Sequence, residues 1–388
     1  MTTSSHMHIG FEAKRLFTNQ TGLGNYSRFV VEALATYFPQ HHYHLYTPEM
    51  GKLEEASRIM GLPPVRTILP PGPWKSLAMQ SFWRSFVLGP SLSSRAHHDQ
   101  VFHGLSNELP YYISSKIKTV VTIHDLLFLR YPQLYKMVDV RIYLTKTKYA
   151  VQRADQIIAV SQQTKEDLME FLGADGQKIA VIHQGCHAIF REKVSEEYKD
   201  KIRKKYQLPE GYVLNVGTVE ERKNARLILE ALVSQKLDYP LVIVGRRTAY
   251  QRELERYMAR HKLGHRVRIL NDVPLAELPA LYQMAQLFVY PSLFEGFGIP
   301  NLEAQHSGLP VITSQGAAFS ESAGPHSLYI SPQNADELAE ALQKVMSDSA
   351  LQRKMASQGA QYVERFGPTS GRLRAHQGVS KPALVGTH

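Results

Sequence analysis

Two glutamates with seven residues between them, Glu295 and Glu303, bracket the run Gly296-Phe297-Gly298-Ile299-Pro300-Asn301-Leu302. Glycines at 296 and 298 let a backbone approach a ligand closely. The amides that follow open a helix near Pro300, a position where a missing N–H costs little. Carboxylates on either side of such amides suit a ligand rich in hydroxyls with a phosphate between them. Cations for that phosphate stand in Asn215-Val216-Gly217-Thr218-Val219-Glu220-Glu221-Arg222-Lys223-Asn224. There Arg222 can grip a diphosphate with two N–H groups, and Lys223 acts as a point charge. A third segment, Thr21-Gly22-Leu23-Gly24-Asn25-Tyr26, places Gly22 and Gly24 before a helix. Ser27 occupies the position where a nicotinamide-type fingerprint needs its last glycine. Two histidines close strands: His124 in Thr122-Ile123-His124-Asp125, and His103 in Phe102-His103-Gly104. Plainer readings stay open for each. Glu303 can complement a helix dipole, Arg222 and Lys223 can be a surface pair, the glycines a turn, and the histidines structural.

These residues need elements that carry them to one place. Short β-branched runs alternate with longer amphipathic stretches, which predicts βαβ units and parallel sheets. Strands are expected at 8–11, 44–46, 119–123, 156–160 and 179–183, then at 212–216, 241–244, 267–270, 287–290, 311–313 and 328–330. Helices are expected at 25–37, 138–150 and 164–172, then at 224–234, 250–262, 275–284, 300–306 and 334–346. The charge-dense stretch 190–208 separates the halves, so the domains read as 1–188 and 189–388. Two sequential parallel-sheet domains facing each other would hold a ligand at the carboxyl ends of their strands. The opening residues 1–6 read as an expression remnant. The tail 367–388, rich in Gly, Pro and Ser, reads as irregular.

The composition excludes several classes. The chain has 388 residues, 43% of them apolar and 21% charged, an ordinary globular balance rather than a disordered one. Its single cysteine excludes an internal disulfide framework and a zinc site built from several thiolates, and it fits a reducing compartment. A net charge of +10 suits anionic partners, but Lys and Arg are spread over both halves. With no nucleic-acid reader motif, nucleic acid is excluded as a partner. The basic, tyrosine-bearing stretch 116–148 reads first as a solvated helix face and second as a surface for phospholipid head groups. Trp74, Phe82, Trp83 and Phe86 among Lys75 and Arg84 read either as packed helices or as an interfacial patch. The histidines at 41, 42, 44, 97 and 98 read as surface residues rather than metal ligands, and no metal site is expected.

Glu295-Gly296-Phe297-Gly298-Ile299-Pro300-Asn301-Leu302-Glu303 resembles the paired-glutamate motif of retaining glycosyltransferases of family four, which have the GT-B fold. The resemblance runs from about residue 8 to residue 366 and includes Tyr290-Pro291-Ser292 and Ser307-Gly308-Leu309-Pro310. It implies two Rossmann-like domains across a deep cleft, with the acceptor on the side of the first and the nucleotide sugar on the second. It further implies that Glu295 holds hydroxyls of the donor sugar with the amides of Gly296, Phe297 and Gly298, and that Glu303 binds the ribose. By the same analogy Lys223 and Arg222 hold the diphosphate and Gly22 and Gly24 close over it. Thr218 stands where some members carry an arginine, and backbone near Val273 meets the base. His124 would lie against the donor sugar, and His103 would line the acceptor side. The implied activity is metal-independent hexosyl transfer, with no cofactor, in polysaccharide or glycolipid assembly. GDP-mannose is the leading donor, and a saccharide or lipid-linked saccharide is the acceptor. The expected location is cytoplasmic, with peripheral contact at the inner membrane face left open. A phosphorylase relative carrying pyridoxal phosphate, a nicotinamide-dependent oxidoreductase and a non-catalytic sugar-nucleotide binder are the alternatives.

Overall fold

The computed structural model describes residues 6–367 except 20, 52, 73–75 and 94–98. The expected irregular tail, Trp74, Lys75, His97 and His98 lie outside the described residues. The fold divides between Gly185 and Cys186, a few residues before the expected boundary, and each unit is built on one parallel sheet.

The first unit contains seven strands: β1 (His8–Glu12), β2 (His42–Tyr46), β3 (Val65–Ile68), β4 (Val101–Gly104), β5 (Lys118–Ile123), β6 (Gln156–Ala159) and β7 (Ile179–Val181). They lie in the order β3-β2-β1-β4-β5-β6-β7. The second contains β8 (Val213–Val216), β9 (Leu241–Val244), β10 (Val267–Leu270), β11 (Leu287–Tyr290), β12 (Val311–Ser314) and β13 (Leu328–Ile330), in the order β10-β9-β8-β11-β12-β13. In both sheets the first strand of the unit lies beside the fourth, and the chain winds outward in opposite directions from that pair. Such a reversal opens a crevice at the carboxyl ends of the two central strands. β8, β9, β11 and β12 are buried along their whole lengths, which explains their largely apolar sequences.

Most predicted elements are present, and the exceptions have physical causes. The edge strand β3 was not expected, because Val-Arg-Thr-Ile after Pro63-Pro64 is short and only half apolar. The charge-dense stretch contains a helix, Glu196–Tyr206, and belongs to the second unit. Ser195 Oγ caps it, glutamates fill its first turn and Arg203, Lys204 and Lys205 its last, so the charges follow the dipole. Helices Ala317–Ala323 and Ser349–Val363 were also unexpected; the second is capped by Asp348, which accepts from the amides of Ala350 and Leu351. The first long helix spans Gly22–Tyr37, three residues longer at its start than the pattern predicted.

The aromatic patch is corrected in composition. Trp83 is a core residue, and Arg84 is held by the carboxylates of Glu12 and Glu108. Phe82 and Phe86 remain exposed, with ring centroids 5.3 Å apart. His44, expected at the surface, is buried with Nδ1 2.6 Å from Asp99 Oδ1. Among the described residues no group of three or more His, Cys, Asp and Glu could hold a metal, and no helix is long and apolar enough to cross a membrane.

Candidate active site

The reversal point of the second sheet gathers the residues expected to carry charge. Arg222 and Lys223 form a short helical turn after β8, and Glu295 lies in the loop after β11. Asn224, with φ of 57°, donates to the carbonyls of Pro291 (3.1 Å) and Pro332 (2.8 Å) and so ties the two loops together. Lys223 Nζ donates to Glu295 Oε1 at 2.6 Å and to the Tyr290 hydroxyl at 2.7 Å. That hydroxyl donates in turn to Glu295 Oε1 at 2.9 Å, which closes a triangle. Arg222 Nη1 lies 3.0 Å from the same oxygen and also donates to the Phe294 carbonyl at 2.9 Å. Its Nη2 reaches Glu220 Oε1 at 2.7 Å.

The charges here are paired in a nearly dry setting. Burial pushes the Glu295 carboxyl up, but Arg222 and Lys223 outweigh that and carry it down to about 2. Burial lowers the Lys223 ammonium, and Glu295 opposes the shift. Glu303 differs. It lies inside helix Ile299–His306, where its Oε2 accepts from the Tyr282 hydroxyl at 2.8 Å. Burial dominates its titration and raises it to about 7. The two expected ligand carboxylates are therefore shifted in opposite directions, Glu295 down by its cations and Glu303 up by burial.

The glycines serve in different ways. Gly298 caps helix Ile299–His306 with φ of 102°, and a Cβ there would lie 2.9 Å from Ser322 Oγ. Phe297 is packed into the core against Phe366, so only its backbone is available to a ligand. Gly296 and Thr218 are half-buried, as is Val273, which follows the strained Asp272 at φ 55°. In the first unit Gly24 is required because a Cβ would fall 1.8 Å from the Asn19 carbonyl oxygen. Its amide already donates to Thr21 O (3.0 Å) and Asn19 Oδ1 (3.3 Å). Gly24 thus shapes the turn. Gly22 is exposed at the first position of its helix.

Both candidate histidines, His103 and His124, are buried. His103 Nε2 lies 2.8 Å from Thr122 Oγ1, and the Tyr26 hydroxyl reaches the same oxygen at 3.0 Å. The Tyr26 ring stands edge-on to His124, with centroids 4.7 Å apart. Burial holds His103 down at about 3 and His124 at about 4, so both rings are neutral. His124 Nε2 lies 2.9 Å from the Leu105 carbonyl and Nδ1 lies 2.9 Å from Gln184 Nε2. Both ring nitrogens of His124 are thus bonded within the unit. Ser161 caps helix Gln162–Leu172 by accepting from the Thr164 amide at 3.0 Å. Tyr290, Tyr282, Tyr26, Thr122 and Gln184 were given no role from sequence; Tyr290, Tyr26 and Thr122 lay within the quoted motifs, and Tyr282 and Gln184 did not.

Residues 198–362 match the family model described as glycosyl transferases group 1, and residues 21–188 match the model of glycosyltransferase family 4. The chain belongs to these glycosyltransferases. It is 28% identical over 278 residues to O-antigen chain mannosyltransferase B of Escherichia coli, covering 70% of this chain and 72% of that one. To O-antigen chain mannosyltransferase RfbU of Salmonella typhimurium it is 31% identical over 226 residues, 58% of this chain and 60% of the relative. The crystal structure of Anabaena HepE in complex with UDP and glucose superposes with a TM-score of 0.74 at 19% identity, covering 97% of this chain and all of HepE. That likeness carries the GT-B fold.

Proposed function

We propose that this glycosyltransferase transfers a hexosyl group, mannosyl in the first instance, from a nucleotide diphosphate sugar to an acceptor hydroxyl with retention at the anomeric carbon. The observation that carries this reading is the convergence of Arg222, Lys223 and Glu295 on one point at the reversal of the second sheet. As the glycosidic C–O bond breaks, the diphosphate gains negative charge and the sugar becomes oxocarbenium-like. Cations already in place meet that charge without reorganisation, and this is where electrostatic catalysis is strongest. Arg222 and Lys223 are assigned to the diphosphate, Glu295 to sugar hydroxyls, Glu303 to the ribose and the backbone at Val273 to the base. The acceptor oxygen bonds to the anomeric carbon on the face the diphosphate leaves, and the departing phosphate takes the acceptor proton.

The mannosyltransferase names of the two bacterial relatives favour GDP-mannose, a saccharide or lipid-linked acceptor and a role in surface-polysaccharide assembly. Phe82 and Phe86, with the basic stretch 116–148, are candidates for peripheral contact with a membrane. A donor screen by calorimetry tests the assignment with GDP-mannose, UDP-glucose, UDP-N-acetylglucosamine and dTDP-sugars. The expected result is tightest binding of GDP-mannose, with release of GDP when a mannan acceptor is added. Binding of all four donors without turnover would support a non-catalytic sugar-nucleotide binder instead.

A further inference from the structure

Gln184 lies in the loop after β7, next to the last residue before the chain passes into the second unit. It is 60 positions from His124 in sequence, yet its side-chain amide is buried against the imidazole. Nothing in the sequence around His183-Gln184-Gly185 suggests a role. The chemistry of the contacts supplies one.

A backbone carbonyl can only accept, so His124 Nε2, 2.9 Å from Leu105 O, carries the proton. In a neutral ring that leaves a lone pair on Nδ1, which needs a donor. The Gln184 amide N–H supplies it at 2.9 Å. The remaining contacts fix the residue on every side. The His124 amide donates to Asn107 Oδ1 at 2.8 Å, and Thr164 Oγ1 donates to its carbonyl at 3.3 Å. The other groups facing the ring are Tyr26, edge-on from helix Gly22–Tyr37, His103 from β4, and Arg15 from helix Lys14–Thr18, whose charge opposes protonation. Asp125 follows in the chain, and its Oδ1 accepts from the Leu127 amide at 3.1 Å.

We propose that Gln184 is a positioning residue that holds His124 neutral, with its proton on Nε2, for the glycosyl-transfer reaction. The inference rests on the reading that His124 borders the donor sugar. An uncharged ring suits that place, because an imidazolium would oppose the positive charge developing on an oxocarbenium-like sugar. A glutamine can donate to Nδ1. A glutamate at the same position can only accept, so it would draw a second proton onto the ring.

The test combines nitrogen-15 NMR of histidine-labelled full-length protein with release of GDP from GDP-mannose. The His124 signals are assigned by their loss in His124→Asn. Unaltered protein is expected to show a neutral, Nε2-protonated His124 across pH 5.5–8, since burial holds the ring at about 4. Gln184→Glu should show an imidazolium at pH 7 and a new acid limb in the rate, with turnover recovering as pH rises and the ring loses its second proton. Gln184→Leu, close in volume, should perturb the Nδ1 signal and lower kcat about tenfold, the size of one lost hydrogen bond, while donor KM changes little. His124 signals unchanged in both variants would overturn the inference, as would full turnover in a Gln184→Leu protein whose signals had moved. Full turnover in His124→Asn would instead remove the reading on which the inference rests, and the NMR comparison would still decide what Gln184 does to the ring.

Discussion

The candidate histidines of the first unit and the ion triangle of the second meet burial in opposite ways. In the first, His103 and His124 are stripped of charge, and every contact the structure gives their ring nitrogens is a hydrogen bond to a neutral group. In the second, Glu295, Lys223 and Arg222 share one point, and Glu295 is held ionised by the cations around it. Burying an unpaired ion costs several kcal/mol, so a fold either neutralises the group or supplies its partner. The choice tells what each place is built for. Neutral groups fix shape and hydrogen-bond direction, whereas a paired carboxylate and two cations form a charge reserve that a charged ligand can redistribute.

The largest effect should come from breaking that reserve on its cationic side. Lys223→Ala removes the Nζ contacts to Glu295 and Tyr290 and leaves the diphosphate one cation short. Loss of a transition-state charge contact of this kind costs about 10²–10³ in turnover. Nucleoside diphosphate affinity measured by calorimetry should fall with it. Intact affinity would place the phosphate site elsewhere.

The anionic side should break differently. From sequence alone, Glu295→Gln is expected to cut turnover and leave the bare nucleoside diphosphate unaffected. The ion triangle changes the second half of that expectation. Glu295 is the internal counter-ion of Lys223 and Arg222, and neutralising it removes their shared competitor for phosphate. Turnover should fall by about 10- to 150-fold, the loss of a charge-assisted hydrogen bond of ~1.5–3 kcal/mol, while GDP binds more tightly than to the unaltered protein. Weaker GDP binding in Glu295→Gln would separate the carboxylate from the phosphate cations and undo the comparison.

Stability against pH sets the first unit's histidines against Glu303 of the second, because their contributions have opposite sign. The histidines titrate lower in the folded state, so the unfolded chain binds more protons below about 6.5 and their contribution is lost as pH falls. Glu303 titrates higher, at about 7 against an ordinary 4.5. Between those values the folded state binds more protons, so its contribution falls as pH rises. Relative to the parent, Glu303→Gln should therefore gain Tm as pH rises from 4.5 to 7, and His124→Asn should lose Tm as pH rises from 4 to 6.5. A Glu303→Gln protein whose Tm follows the parent at every pH would show that Glu303 ionises normally. The smallest effect is expected from chelation: EDTA should leave turnover largely unchanged, as cations from Arg222 and Lys223 are assigned to the leaving group. Loss of nearly all activity, restored by magnesium or manganese, would reassign that charge to a metal.

What could be read in the chain was local. Period, caps and breakers placed nearly all the sheet strands, and the two glycine-bearing runs marked the loops after β8 and β11 where charge collects. The strands β8 and β11 are adjacent in the sheet although 70 residues lie between Val216 and Leu287. The spacing of Glu295 and Glu303 was visible in sequence, because it is set by one loop and one helix. Their different protonation was not, since it depends on which distant side chains supply solvation in place of water: Arg222 and Lys223 for one, Tyr282 for the other. The same holds for Gln184, whose side chain meets His124 only because β7 returns beside β6 and β6 beside β5. Sequence by itself determined the βαβ pattern and the inventory of reactive groups, since both follow from covalent neighbours and the backbone's own periodicity. The tertiary structure alone decided which groups are charged, which are neutral and which nitrogen holds the proton, because electrostatic energy depends on distance and burial rather than on position along the chain.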